Sequence, residues 1–424
     1  MFGAELRRRR QEARMSLADL SGVTHYSKGY LSKLETGAKP PTSETAVICD
    51  NALDAGGALR ALAPSRTPSG DPEPKVPSHS QEVWILRMEA DGSTEFSGMD
   101  RRTALSAGAA SLVTAAAGPS PVSPASPASP ETLVWFREQF AALRALGQRA
   151  APRVVLPLAV AQANALRQLA AGTNGRSAEE ALGLAARFAE YAGWMAQEAG
   201  DDSAALWWTD TAATMAATAG DREMCAYVHV RRALVAMYAH DGARTIGLAE
   251  RVRSEPGASA RVLGLAAKRE AQGHALVGDL VSSERALERA RELLPVPKGT
   301  PSPHVLGSSH VADPVGVARG WCLVDLGRFE EGARVLDEEV ARLPESAVRA
   351  RTRFGVRRAL AHALAGEVDH ACALTGELLD GVAASGSATV TADLRRLSQA
   401  LTRYHGHGAV RDLSPRLVAA LHRP

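Results

Sequence analysis

The sequence predicts an all-α protein with a small helical head, a proline-rich connector and a long array of paired helices. Only 4% of the 424 residues are aromatic, while alanine and leucine crowd almost every window. A β protein needs more aromatic and β-branched residues than that. From residue 131 onward, segments of about 12–22 residues carry apolar positions at a 3.6-residue period and stop at Gly, Pro or Gly-Asp. The length also exceeds what one hydrophobic core sustains, so two or three folded units are expected.

The head covers residues 1–63. FGAELRRRRQEA reads as a basic helix with Phe2, Leu6 and Ala13 facing inward and arginines 7 to 10 on the remaining surface. SLADLSGV opens with Ser16 as N-cap, THY connects, and SKGYLSKLETG starts at Ser27 and stops at Gly37. Leu17, Leu20, Val23, Tyr26, Leu31 and Leu34 have the spacing that clamps these two short helices into a helix-turn-helix. In that motif the second helix enters the DNA major groove and its N-terminal, outward side chains reach base edges. The outward set is Ser27, Lys28, Gly29, Ser32 and Lys33, with Tyr30 at the border. Lys28 can reach guanine acceptors or phosphate, Ser27 and Ser32 can serve several bases, and Gly29 permits close approach. Lys33, Lys39, Arg7 and Arg10 are assigned to phosphates, which orient a domain without reading sequence; the bland reading of arginines 7 to 10 is a solvated helix face. Glu35 is expected to pair with a basic neighbour at the helix end. Residues 1–39 hold eight basic against four acidic residues, whereas the whole chain has 49 against 47, a net charge of +2. Average electrostatics therefore points to no nucleic-acid partner, and any such function sits in a local patch.

Ten of the 23 prolines fall between residues 64 and 130, a density that continuous helix excludes. SRTPSGDPEPKVPSHS and GPSPVSPASPASP read as extended connectors. Between them, EVWILRMEADGSTEF places two β-prone runs around Asp91-Gly92, which predicts a short hairpin over Val83–Phe96. The segment after it puts Arg101-Arg102 before an Ala-rich stretch and reads as a helix over 101–117. A twin-arginine export signal has the same look but is read near a chain start, which here would require internal initiation at Met99.

Fourteen helical segments follow, the first at 131–150 and the last at 409–422, and neighbours pair as hairpins. Paired helices stacked in series are the signature of an α-solenoid. Trp194, Trp207, Trp208, Tyr227 and Tyr238 are candidates for a ligand groove, and the same residue types also fill helix contacts as core. The loop 295–314 is long for such an array. His304 and His310, like His405 and His407, lack a third ligand nearby in sequence and read as exposed polar residues rather than a metal site. Cys49, Cys225, Cys322 and Cys372 lie apart without CxxC spacing and read as reduced, buried thiols. The N-terminus is charged where a signal peptide is apolar, and no run of 18 apolar residues occurs, so a cytoplasmic protein without a membrane partner is expected. No phosphate loop, GxSxG or HExxH motif occurs, so neither enzyme activity nor a cofactor is expected.

The run SLADLSGVTHYSKGYLSKLETGAKPPT resembles the XRE/Cro-like helix-turn-helix family, with its serine-opened recognition helix, L-S-K-L-E and the following G-x-x-P. Leu17 stands where that family usually carries a phosphate-contacting polar residue. The resemblance implies a five-helix bundle, with TSETAVICDNALDA and GALRAL as helices four and five. The array resembles the tetratricopeptide-like regions behind such domains in regulators of high-GC, actinobacterial-type genomes. Gly278, Ala286, Ala290 and Pro295 carry one copy, and Gly327, Phe329, Ala333 and Pro344 another. Together they imply a homodimeric transcription regulator that binds a double-stranded DNA operator and takes a peptide, a small ligand or a partner protein on its array. The second reading is a helical-repeat interaction scaffold whose helix-turn-helix does not bind DNA.

Overall fold

The computed structural model describes residues 2–24, 26–62, 82–88, 94–100, 128–295, 305–308, 310–311 and 313–422. The Asp91-Gly92 turn, the Ala-rich segment 101–117, most of the two connectors and His304 lie outside the described residues. Among the described residues the fold is all-α apart from one strand pair, β1 (Glu82–Met88) and β2 (Thr94–Asp100), joined antiparallel in a register from Glu82↔Asp100 to Met88↔Thr94. The second strand runs to Asp100, beyond the Val83–Phe96 span expected from the sequence.

The head is built of α1 (Phe2–Glu12), α2 (Leu17–Thr24), α3 (Lys28–Glu35), α4 (Ser43–Ala52) and α5 (Ala58–Ala61). Capping decides where these short helices begin. Ser16 Oγ accepts from Asp19 N at 3.1 Å while Asp19 Oδ2 accepts from Ser16 N at 2.8 Å, a reciprocal box at the start of α2. Ser27 and Thr42 cap α3 and α4 through Tyr30 N and Thr45 N. Phe2, Leu6, Leu20, Leu31, Leu34, Ala46, Cys49, Leu53 and Leu59 form the core. Val23 departs from the sequence expectation and is 56% exposed, because Thr24 takes the buried position one turn after Leu20 and donates to its carbonyl. Ala13 is exposed as well, since α1 stops at Glu12. Gly3 allows α1 to lie on the end of α3: a Cβ there would stand 2.2 Å from Leu34 O.

The array comprises α6 (Pro130–Leu146), α7 (Pro152–Ala171), α8 (Arg176–Glu198), α9 (Asp202–Thr218), α10 (Arg222–Tyr238), α11 (Gly242–Arg251), α12 (Ala260–Leu276), α13 (Leu280–Leu293), α14 (Pro314–Asp325), α15 (Phe329–Ala341), α16 (Val348–Ala365), α17 (Val368–Ser385), α18 (Ala388–Leu401) and α19 (Gly408–Leu421). The Gly-Asp punctuation works as two half-signals. Gly278 turns the chain out of α12 at φ +83°, and Asp279 accepts from Ser282 N to start α13. Asp201, Asp241 and Asp313 cap α9, α11 and α14 in the same way.

The chain divides into two compact units. One contains residues 68–143 and 152–224; within it α7 packs on α8 and α8 on α9, and Phe140 meets Phe188 edge-on at 5.0 Å in the core. Among the described residues, α7 is the one helix long and apolar enough to cross a membrane; Val155, Ala159, Val160, Ala163, Leu166 and Ala170 on it are buried. The other unit contains residues 1–67, 144–151 and 225–424. Here α11 packs on α12, α12 on α13, α14 on α15, α15 on α16 and α16 on α17, while α12 also lies beside α14, and α16 beside α14 and α18. Alternate helices are tied by a buried ion network: Arg357 of α16 reaches Asp325 of α14 at 3.2 Å and Asp393 of α18 at 3.0 Å, and Arg396 reaches Asp325 at 3.2 Å. The head docks in this unit through α4 and α5. Ile48 joins the apolar core of α14–α19, Asn51 Nδ2 donates to Gly327 O at 3.3 Å, and Arg60 donates to Leu326 O at 2.9 Å.

Burial by itself pushes the Asp325 carboxyl up, but Arg357 and Arg396 outweigh it and hold the group below its ordinary range. A depressed carboxylate contributes stability above its unfolded pKa and loses that contribution as pH falls through the folded value. Urea denaturation is therefore expected to show an acid-side loss in the parent chain. Asp325→Asn, which leaves two guanidinium groups short of their partner, is expected to lose about 3–5 kcal/mol at pH 7. Burial, the largest cause in each case, pushes the Cys49 and Cys322 thiols up to about 12. Iodoacetamide at pH 8 should leave both unlabelled in the native protein and label both after unfolding, as peptide mass spectrometry reads directly.

Candidate nucleic-acid interface

Helix α3 is held on one face only. Leu31 and Leu34 are buried in the head core, while Ser27, Lys28, Gly29, Ser32 and Lys33 are exposed on the opposite side. The structure thus brings the five outward residues of the sequence reading to one surface. Ser27 has a local task there, because its Oγ accepts from Tyr30 N at 3.2 Å. A Cβ on Gly29 would meet nothing within 4 Å, so this position is open for another molecule.

Tyr30 closes the side of that surface. Its ring stacks on Tyr26 with centroids 4.8 Å apart, and Lys39 Nζ lies 4.7 Å from its centroid. Both tyrosine hydroxyls stand 3.3 Å from Thr45 Oγ1 at the start of α4. Burial, only partly offset by the Thr45 hydrogen bond, pushes the Tyr26 hydroxyl up to about 12. Tyr26 therefore stays neutral and acts as a strut between α3 and α4. Lys39, exposed and above Tyr30, places its ammonium at the rim of this surface.

The four arginines of α1 divide by geometry. Arg8 pairs with Glu5 and Glu12, and Arg9 with Glu5. Arg10 departs from its assignment to phosphate. Its Nε and Nη2 reach the Glu35 carboxylate at 2.6 and 3.0 Å, and its Nη1 donates to Met15 O at 2.9 Å. The pair is only 12% and 7% exposed, so its work is to brace α1 against the end of α3. Glu35 thereby finds the basic partner expected of it. Arg7 is exposed and makes no ion pair among the described residues.

Of the aromatic groove candidates, Trp194, Trp207 and Trp208 belong to one unit and Tyr227 and Tyr238 to the other. Trp208 and Tyr227 are 3% and 5% exposed, so these two are core residues. Trp194 and Trp207 are half-buried; Trp194 leans on Tyr191 at 5.4 Å and Trp207 meets Trp208 edge-on at 4.8 Å. Tyr238, half-buried in the other unit, meets Trp321 at 5.8 Å. His310 is half-buried, its basicity lowered by burial and then by Arg144, while His405 is exposed and His407 stands 3.7 Å from Asp369. The group of metal-ligand type among the described residues lies elsewhere, at Asp337, His362 and His370. Its central ring is already engaged by protein, with His362 Nδ1 2.7 Å from Glu367 and Nε2 3.0 Å from Asp337. Sequence reading missed this group because its members come from α15, α16 and α17.

A family model described as a helix-turn-helix domain matches residues 1–63. No curated protein and no solved structure matches the chain.

The exposed lysines have separable expected effects on duplex binding. Lys33→Ala should weaken all sequences alike and reduce the salt slope by about one. Lys28→Ala should cost about 1–3 kcal/mol on the preferred sequence and less on others. Fluorescence anisotropy across a salt series separates the two.

Proposed function

We propose that the chain is a sequence-specific transcription regulator of the XRE/Cro-like type. In this reading the helix-turn-helix binds a double-stranded operator, and the tetratricopeptide-like array senses a peptide, small ligand or partner protein and mediates homodimerisation. The observation that carries it is the open face of α3, where Lys28, Gly29, Ser32 and Lys33 stand together on a helix-turn-helix domain. Helix-turn-helix domains of this size cover little DNA singly, which favours a dimer on two half-sites. The protein then works where the DNA is, in the cytoplasm, with no membrane partner: we read α7 as a core helix of its unit. We assign the chain no catalytic reaction and no cofactor.

Selection from random duplexes with the full-length protein tests the reading. The expected result is an enriched motif with two half-sites about 10 base pairs apart, or a multiple of that spacing. Retention of DNA without any enriched sequence, or with no dependence on salt, would instead support an interaction scaffold.

A further inference from the structure

Three helices bring imidazole and carboxylate groups together at the turn between α16 and α17. One donor atom from each of Asp337 on α15, His362 in the last turn of α16 and His370 in the first turn of α17 lies within 4.8 Å of the other two. His362 is buried, Asp337 half-buried and His370 exposed, so the group opens to solvent at His370. The two rings meet edge to face with centroids 4.5 Å apart.

The turn itself orients the buried ring. Gly366 takes φ +92° to end α16, and Glu367 N then donates to His362 O at 2.9 Å. With the backbone tied in this way, the Glu367 carboxylate stands 2.7 Å from His362 Nδ1. On the other side of the ring, Nε2 lies 3.0 and 3.1 Å from the two oxygens of Asp337. An ionised carboxylate accepts and does not donate, so a ring that gives Nδ1–H to Glu367 turns its Nε2 lone pair toward another acceptor. Such a pair is held by a positive charge between its members, a proton or a metal ion. A proton needs those two groups alone, whereas an ion needs a third donor, and His370 supplies one. A carboxylate behind the second ring nitrogen is also the partner that metal-bound histidines have. Arg358 Nε lies 2.8 Å from Asp337 Oδ1, which leaves Oδ2 for an ion. Donors about 2.0–2.2 Å from a tetrahedral ion stand roughly 3.3–3.6 Å from one another, so His362 and Asp337 have to part by about a few tenths of an ångström.

We propose that Asp337, His362 and His370 bind a divalent transition cation of the zinc class, with water completing its coordination on the exposed side and Glu367 positioning the His362 ring. Two imidazoles and one carboxylate suit such an ion better than a hard, oxygen-seeking one such as magnesium. Bound there, the ion ties α15 to the turn between α16 and α17 and takes part in no reaction.

Calorimetric titration of the full chain, freed of metal by chelation and without DNA, tests it with zinc, cobalt and magnesium. One zinc ion per chain should bind and raise the melting temperature, and magnesium should bind at least about tenfold more weakly. Cobalt should give the visible bands of a four-coordinate site. His370→Ala, at an exposed position, should weaken zinc at least about tenfold and abolish those bands while the metal-free chain melts like the parent. Asp337→Asn is a second ligand variant with the same expected loss of affinity. Glu367→Ala should weaken zinc about tenfold and keep the cobalt bands, since it removes the partner of the ring and no ligand. His405→Ala, which alters an exposed histidine outside the group, should bind zinc like the parent. Absence of zinc binding, parental affinity in His370→Ala, Asp337→Asn or Glu367→Ala, or magnesium binding as tightly as zinc overturns the proposal. A loss in His405→Ala equal to that in His370→Ala shows an adventitious ion on surface histidines and also overturns it. The titration contains no DNA and the duplex selection no added metal, so failure of one is distinguishable from failure of the other.

Discussion

Helix α4 belongs to two cores at once, and the placement of the recognition helix depends on it. Ala46, Cys49 and Leu53 pack into the head, while Ile48 joins the core that Val356, Leu360 and Leu364 build at the C-terminal end of the array. Residues 45–50 are all buried, because one face of the helix packs in the head and another against the array. Gly327 makes the approach possible. It turns at φ +82°, and a Cβ there would lie 2.5 Å from Val47. Through Thr45, α4 holds Tyr26 and Tyr30, and the Arg403 guanidinium lies 5.2 Å from the Tyr26 ring. A packed route therefore joins the end of the array to α3.

Charge in this protein is placed rather than merely balanced. The net charge of +2 conceals arginines with different tasks. Arg10 braces α1 on α3, Arg357 ties α14, α16 and α18, and Arg349 donates through Nε to Gly147 O at 2.7 Å and through Nη2 to Ala150 O at 2.7 Å. In each case a planar guanidinium supplies several donors in fixed directions, which buried carbonyls and carboxylates require.

Much of the head and most helix boundaries were legible in the sequence, because local chemistry sets them. Serine and threonine caps start α2, α3 and α4, and aspartates start α9, α11, α13 and α14. The exposed set on α3 follows from helical period once Leu31 and Leu34 are taken as core. Val23 was misjudged because apolar spacing does not show that Thr24 competes for the inner position. Arg10 was misjudged because a run of four arginines carries no mark of the one that faces an acid 25 residues away.

By itself, the sequence determined the helical class, the ends of the elements, the helix-turn-helix and the exposed face of α3. These follow from interactions within a few residues, where period and capping are sufficient. Only the tertiary structure decided which arginines are structural, that α4 is shared by two cores, and that Arg353 stands against the Tyr238 and Trp321 rings. Those outcomes depend on contacts between residues tens to hundreds of positions apart, and a desolvated charge becomes visible only when the groups around it are known.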